Sequence, residues 1–297
     1  MTSDFNYEKA FHRNLGLVTP QEQEKLRNST VALAGGGGTG GITVITLARM
    51  GIANFKIADF DEFSIANFNR QAGANMQTLD KNKAISLKEA ILAINPEAQV
   101  TTYEDGITKD NINDFLQNAD IVIDAIDFFA MEAHELLHDT VHDLKKTVVF
   151  SAPPGFSATL HVFAPESMSF RDYFDIRDGM SKFDKMIAWA AGIFPSATHW
   201  KYMDTSPKRI NAQEHVAPSI CSAVNLSSSL MSTEIFIILL NRRPPLYAPQ
   251  YMQFDLYRGV LRKGKLRFGN RGPIQQLKRF ILSKKFTDQK DVINNKN

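Results

Sequence analysis

Five glycines fall in the six residues Gly35-Gly-Gly-Gly-Thr-Gly40, directly ahead of an apolar stretch. Glycines there let the chain turn tightly and bring backbone amides up to a phosphate, and the dipole of a following helix favours the negative charge. The stretch satisfies G-x-G-x-x-G through Gly35, Gly37 and Gly40, and G-x-G-G-x-G when Gly38 is included. Asp59 follows 19 residues after Gly40, where a carboxylate accepts hydrogen bonds from ribose hydroxyls. NAD and ATP share that ribose, so the glycines and Asp59 ask for a nucleotide without choosing one.

The choice comes from the residues that follow. NAD's pyrophosphate is largely satisfied by backbone amides, whereas a triphosphate needs side-chain cations and usually magnesium. Arg70 and Lys83, downstream of Asp59-Phe-Asp61, are placed to supply the cations. Asp124 and Asp127 end a further apolar run, and two carboxylates at a strand's carboxyl end suit magnesium binding. Asp124 has a second reading as the cap of the next helix, which leaves Asp127 as the magnesium candidate.

Positioning these groups requires alternating strands and helices. Val31–Ala34 reads as a buried strand, Ile42–Met50 as a helix stopped by Gly51, and Phe55–Asp59 as a second strand. Asp80 is the expected cap of a helix through Ala84, Leu87, Ile91 and Ile94 that ends before Pro96. Strands are expected at Gln99–Tyr103, Ile121–Asp124 and Val148–Ser151, with helices at Ile112–Ala119 and Met131–Leu144. The fold class is therefore α/β: a Rossmann-like doubly wound sheet, mostly parallel, with a C-terminal mixed extension. Four segments are expected: a helical arm over 1–27, the nucleotide-binding unit over 28–165, a helical cover completing the sheet over 166–257, and a basic tail over 258–297. The cover includes a long helix, Ser219–Leu240, and a late strand, Tyr251–Tyr257.

Taken together, these motifs resemble the ThiF/MoeB/HesA family, bacterial relatives of ubiquitin-activating enzymes. The matching residues are Gly35, Gly37, Gly38 and Gly40; Asp59 and Asp61; Asn67 with Arg70-Gln71; Lys83; and Asp124 with Asp127. The resemblance implies an ATP-dependent adenylyltransferase in which Asp59 holds the ribose. It implies that Asn67, Arg70 and Lys83 contact the phosphates, with Gln71 beside them, and that Asp127 lies by magnesium and the α-phosphate. It also implies a homodimer in which Arg13 reaches the partner subunit's ATP site, although Asn14 stands where the family has glutamine. The chain departs from many relatives in having one cysteine, Cys221, where a structural zinc needs two C-x-x-C pairs, so no zinc site is expected. Cys221 precedes a helix, where a thiol can be activated, but its apolar neighbours read as packing.

Composition narrows the partners. A chain of 297 residues, 43% hydrophobic and 22% charged, is of ordinary globular type and large enough to need no disulfide. The N-terminus lacks a signal-like apolar core, and the run Ile235–Leu240 is too short to cross a bilayer. A cytoplasmic protein without a transmembrane segment is expected. The net charge of +2 hides ten Lys or Arg and no acid within residues 258–285. That tail offers a surface for tRNA or a solvated, partly helical face. The expected activity joins ATP and Mg2+ to a carboxylate, either a small acid or the end of a small ubiquitin-like or peptide partner, giving an acyl-adenylate. The alternatives are a tRNA-modifying dehydratase of the same family, an NAD-dependent oxidoreductase, and a nucleotide-binding scaffold without catalysis.

Overall fold

The computed structural model describes residues 5–212 and 214–295; residues 1–4 of the expected arm and 296–297 of the tail lie outside the described residues. The arm forms α1 (Tyr7–Phe11) and α2 (Pro20–Asn28). α2 starts on a reciprocal cap, Thr19 accepting from the Glu22 amide while Glu22 accepts from that of Thr19, with Pro20 where no N–H is required.

The first βαβ unit is β1 (Thr30–Ala34), α3 (Gly38–Arg49) and β2 (Asn54–Ala58). The alternation continues through α4 (Lys83–Ile94), β3 (Gln99–Tyr103), α5 (Ile112–Leu116), β4 (Ile121–Asp124), α6 (Met131–Asp143) and β5 (Val148–Phe150). Several boundaries differ from expectation, the largest being the start of α3 at Gly38, four residues before Ile42. The α4 cap is Asn82, whose side chain accepts from the Ile85 amide, while Asp80 lies in the preceding turn at φ 60°. α5 stops at Leu116 because Asn118 turns left-handed, at φ 59°, which a helix cannot continue through.

Beyond β5 come β6 (Ser157–Phe163), α7 (Phe170–Phe174), α8 (Lys182–Ile193), α9 (Cys221–Leu240), β7 (Gln250–Asp255), β8 (Val260–Lys265), α10 (Pro273–Lys285) and α11 (Lys290–Asn295). One eight-stranded sheet runs in the order β3-β2-β1-β4-β5-β6-β7-β8, parallel through β5 and antiparallel from there on. The expected α/β class, mostly parallel with a mixed C-terminal extension, is the fold observed. β6 was not foreseen, although Ser157-Ala-Thr-Leu-His-Val162 alternates polar and apolar residues as a half-buried strand does; in the fold all seven of its residues are buried.

Two apolar layers flank the sheet. One joins Val44, Leu47, Leu87 and Ile91 to Met231 and Ile235 of α9; the other joins Phe115, Leu137, Phe174 and Trp189. α9 has 20 residues with mean hydropathy 1.6, so by length and composition it could cross a membrane. Here it packs on α3 and β6, and its one acid, Glu234, is buried against Arg243 at 2.6 Å. The basic segment is folded, with β8 as the sheet edge and α10 packed on α8.

Candidate active site

β1 pairs with β2 on one side and β4 on the other, so the chain reverses its winding between β1 and β4. Ligands of open α/β sheets bind outside the strand ends at such a point. The turn after β1 and the loop after β4 meet there, with Ala125 donating its amide to the Ala34 carbonyl at 2.8 Å. Gly35 adopts φ +94° and lies so close to the Ala125 carbonyl that any Cβ would collide with it. A Cβ at Gly40 would collide with the Gly35 carbonyl, so this glycine closes the turn onto α3. α3 has no side-chain cap at its start, which leaves its first-turn amides available to an anion.

A cavity of about 490 Å³ opens at this point. Its wall includes Gly35, Gly37 and Gly38 of the turn, Asp59 and Asp61 after β2, Arg70 with Gln71, Lys83 at the start of α4, and Asp127 after β4. Residues nearly a hundred positions apart thus face one space. Lys83 is only 6% exposed, with Nζ 2.8 Å from the Asp61 carboxylate. Burial pushes the Asp59 carboxyl up, against the pull of Lys83 and of the Asp61 and Gly36 amides that donate to it. Burial likewise pulls the Arg70 guanidinium down, and the Asp127 charge opposes that shift. Gln71 is buried, and its Oε1 has no partner among the described residues.

Three expected site residues lie elsewhere. Gly40 packs behind the turn. Asn67 sits in the short 3-10 turn Ile65–Asn67 and accepts from the Ser64 amide at 3.0 Å, away from the cavity wall. Arg13 is exposed in the 3-10 turn His12–Asn14 and lines no part of its own chain's cavity. Its neighbour Asn14 fixes that turn by donating to Gln23 at 2.9 Å and to the Met50 carbonyl at 3.1 Å. Cys221 is exposed at the start of α9 and also lies off the wall.

Asp124 is neither a helix cap nor free for a metal. It is fully buried, and its Oδ2 lies 2.7 Å from His134 Nδ1 and 2.9 Å from His138 Nε2. Burial would raise this carboxyl, but the two histidines outweigh burial and hold it well below the usual range. His134 Nε2 reaches the Asp127 carbonyl at 3.1 Å, which fixes the loop that presents Asp127. The sequence signal was available: His134 and His138 stand four apart on the helix after Asp124 and so share one face.

That leaves Asp127 as the metal candidate. Its side chain is 55% exposed, with Oδ1 accepting from the Phe129 amide at 2.9 Å. No cluster of three metal-ligating side chains exists among the described residues. One accessible carboxylate without a cage fits magnesium that arrives with phosphates, since that ion keeps its waters and takes few protein ligands.

A family model described as "ThiF family" matches residues 11–270, most of the chain. The chain belongs to the ThiF family. It is 38% identical over 123 residues to the tRNA threonylcarbamoyladenosine dehydratase of Haemophilus influenzae, covering 41% of this chain and 47% of that one. Over 155 residues it is 29% identical to the sulfur carrier protein adenylyltransferase of Thermus thermophilus, covering 52% and 56% of the two. The chain thus spans about half the length of these curated relatives. Among solved structures, E. coli MccB with ATP superposes with a TM-score of 0.64 at 16% identity, over 92% of this chain and 73% of that one, and so shares its fold.

Proposed function

We propose that this ThiF-family chain binds ATP in the cavity between β1 and β4 and activates a carboxylate as an acyl-adenylate. The observation that carries the reading is the convergence of Arg70, Lys83 and Asp127 with the uncapped start of α3 in one cavity. An NAD site has no need of that charge set. The adenylyltransferases among the relatives support the same chemistry.

In this reading a substrate carboxylate oxygen attacks the α-phosphorus, the bond to the bridging oxygen breaks, and pyrophosphate leaves with that electron pair. No protein nucleophile is required. The first-turn amides of α3 hold the phosphates, Asp59 accepts from the ribose, and Arg70 and Lys83 balance the developing charge. Magnesium, held by Asp127, would neutralise charge on the phosphate oxygens. Arg13 is assigned to the partner subunit's cavity in a homodimer, which accounts for its position away from its own.

Calorimetric titration with magnesium-ATP and with NAD tests this, with Asp127→Ala run alongside. Saturable ATP binding weakened in the variant, with pyrophosphate released once an acid is present, supports the proposal. NAD binding without ATP binding overturns it, and ATP binding without pyrophosphate release for any acid favours a scaffold.

A second reading, a carboxylate carried on tRNA, is favoured by the basic C-terminal segment and the dehydratase relative. Several of its cations are already engaged: Arg279 with Asp175, Arg271 with Asp172, and Lys278 on backbone carbonyls. Arg262, Lys263 and Lys265 of edge strand β8 remain for a phosphate backbone. Reversing these three charges should abolish salt-dependent tRNA binding; tRNA affinity that is absent, or unchanged by the reversal, rules the reading out.

A further inference from the structure

Beside the glycine turn and its charged residues, the same cavity is lined by a second, apolar set of side chains, an apolar chamber within it. Phe183, Met186, Ile187 and Ala190 form a stripe along α8 that faces it. Leu282 and Ile293, from α10 and α11, line it as well and belong to one apolar cluster with Phe183 and Ile187. Phe129, two residues past Asp127, belongs to the same apolar cluster, so this chamber adjoins the loop that carries the metal candidate.

The polar groups near this end are mostly used internally. Gln289 donates to the Pro207 and Ile210 carbonyls and accepts from the Ala212 amide, and Thr205 accepts from Lys285. Both cations of the wall, Arg70 and Lys83, stand at the glycine end. Two histidines also line the cavity: His215 is stacked on Phe129 with its centroid 5.3 Å away, and His199 is 2% exposed, with Nδ1 lacking any partner among the described residues. Burial keeps the His199 imidazole neutral, so it offers a hydrogen bond but no charge on a mostly apolar wall.

An extended peptide tail would bring an amide N–H and a carbonyl at every residue. Burying these without partners is unfavourable, and the side chains of the chamber offer little to meet them. An apolar acid brings one charged end and nothing else that needs a partner.

We propose that the acid activated here is a small monocarboxylic acid with an aryl or medium-length alkyl body, which sits between α8 and α10–α11 with its carboxylate directed toward Arg70. The inference rests on the adenylation reading for the fate of the carboxylate, but binding of the apolar body can be measured separately.

The test is calorimetric titration of the intact protein with butanoate, hexanoate, octanoate, phenylacetate, succinate and a short peptide ending in leucine, followed by ATP–pyrophosphate exchange with each. Affinity should rise about three- to fourfold per methylene, on the order of 100-fold from butanoate to octanoate, with succinate not binding. Ala190→Trp on α8 and Ile210→Trp on the covering segment fill the chamber from two sides and should weaken octanoate at least tenfold. A parallel ATP titration reports whether each variant still folds. Affinity indifferent to chain length, or a preference for succinate or for a peptide ending in leucine, overturns the inference while leaving adenylation standing if ATP binds. Chain-length-dependent binding without exchange upholds the chamber and removes the adenylation reading.

Discussion

Lys83→Met isolates the charge of the most buried cation at the site. The lysine is 6% exposed and its Nζ lies 2.8 Å from an Asp61 carboxylate whose side chain is 53% exposed. Methionine keeps most of the stem's packing, and the lost ion pair has one wet partner, so stability should fall by less than about 1 kcal/mol. ATP binding should suffer more. A hydrogen bond to a charged group contributes about 1.5–3 kcal/mol, or roughly 10- to 100-fold in affinity. Loss of a contact that strengthens at the transition state would slow adenylation on the order of 100-fold or more. A second effect follows from Asp59, whose carboxyl burial already raises and Lys83 pulls back. Without Lys83 that carboxyl rises further, so ATP affinity should drop more steeply as pH falls toward 5. Calorimetry at pH 8 and pH 5.5, urea unfolding and ATP–pyrophosphate exchange together read all four quantities. The reasoning is refuted if ATP affinity is unchanged, or if the stability loss is large enough to account for the weaker binding.

The remaining predictions concern the frame around the site. His161 and His199 are buried, and burial pulls their imidazoles down to about 4 and about 3. Unfolded histidine takes up its proton near pH 6.5, so stability is fully present above about pH 7 and falls on acidification, each group removing about 2 kcal/mol by pH 5. Urea midpoints at the two pH values, with His161→Phe recovering about half the loss, test this; a flat profile refutes it. Asp124→Ala should destabilise by about 3–5 kcal/mol, because His134 and His138 lose the buried carboxylate between them. Thermal unfolding measures that, and a shift of only a degree or two would mean the pair carries no buried charge. Its depressed carboxyl adds stability above the usual carboxylate range, which is lost only as pH falls through the folded value, below the histidine window. Gly35→Ala should abolish ATP binding, since the residue sits at φ +94° against the Ala125 carbonyl and any side chain would part the two loops. Calorimetry and circular dichroism together would show whether the loss is local; wild-type affinity would refute the close approach.

How much was legible follows the range of the interactions. The glycine turn, Asp59, Arg70 and Lys83 lie within a single βαβ unit and the segment after it, where turn chemistry and periodicity act over a few residues. The sequence by itself therefore determined the glycine-turn half of the cavity and the parallel part of the sheet. β6 went unread although Ser157-Ala-Thr-Leu-His-Val162 alternates, and only the fold shows that its polar face, Ser157, Thr159 and His161, is buried as fully as its apolar one. The use of Asp124 was only half legible: His134 and His138 stand four apart on the next helix, but the packing of α6 on β4 decides that their shared face meets this carboxylate. Asn67 and Gly40 carry the family's motif, yet the fold turns one onto Ser64 and sets the other behind the turn. The apolar chamber depended entirely on tertiary structure. Its walls come from α8, the 205–212 segment and α10–α11, stretches separated by up to about a hundred residues. Lys278 draws α10 onto the end of α8 by donating to the Ala191, Phe194 and Pro195 carbonyls. Read along the chain, that lysine is one charge in a basic tail. In the fold, burial pulls it down to about 8 and it anchors one wall of the chamber to the other. Hydrophobic burial between such distant segments leaves no local pattern beyond the apolar residues themselves, because its driving force scales with area removed from water and not with position along the chain.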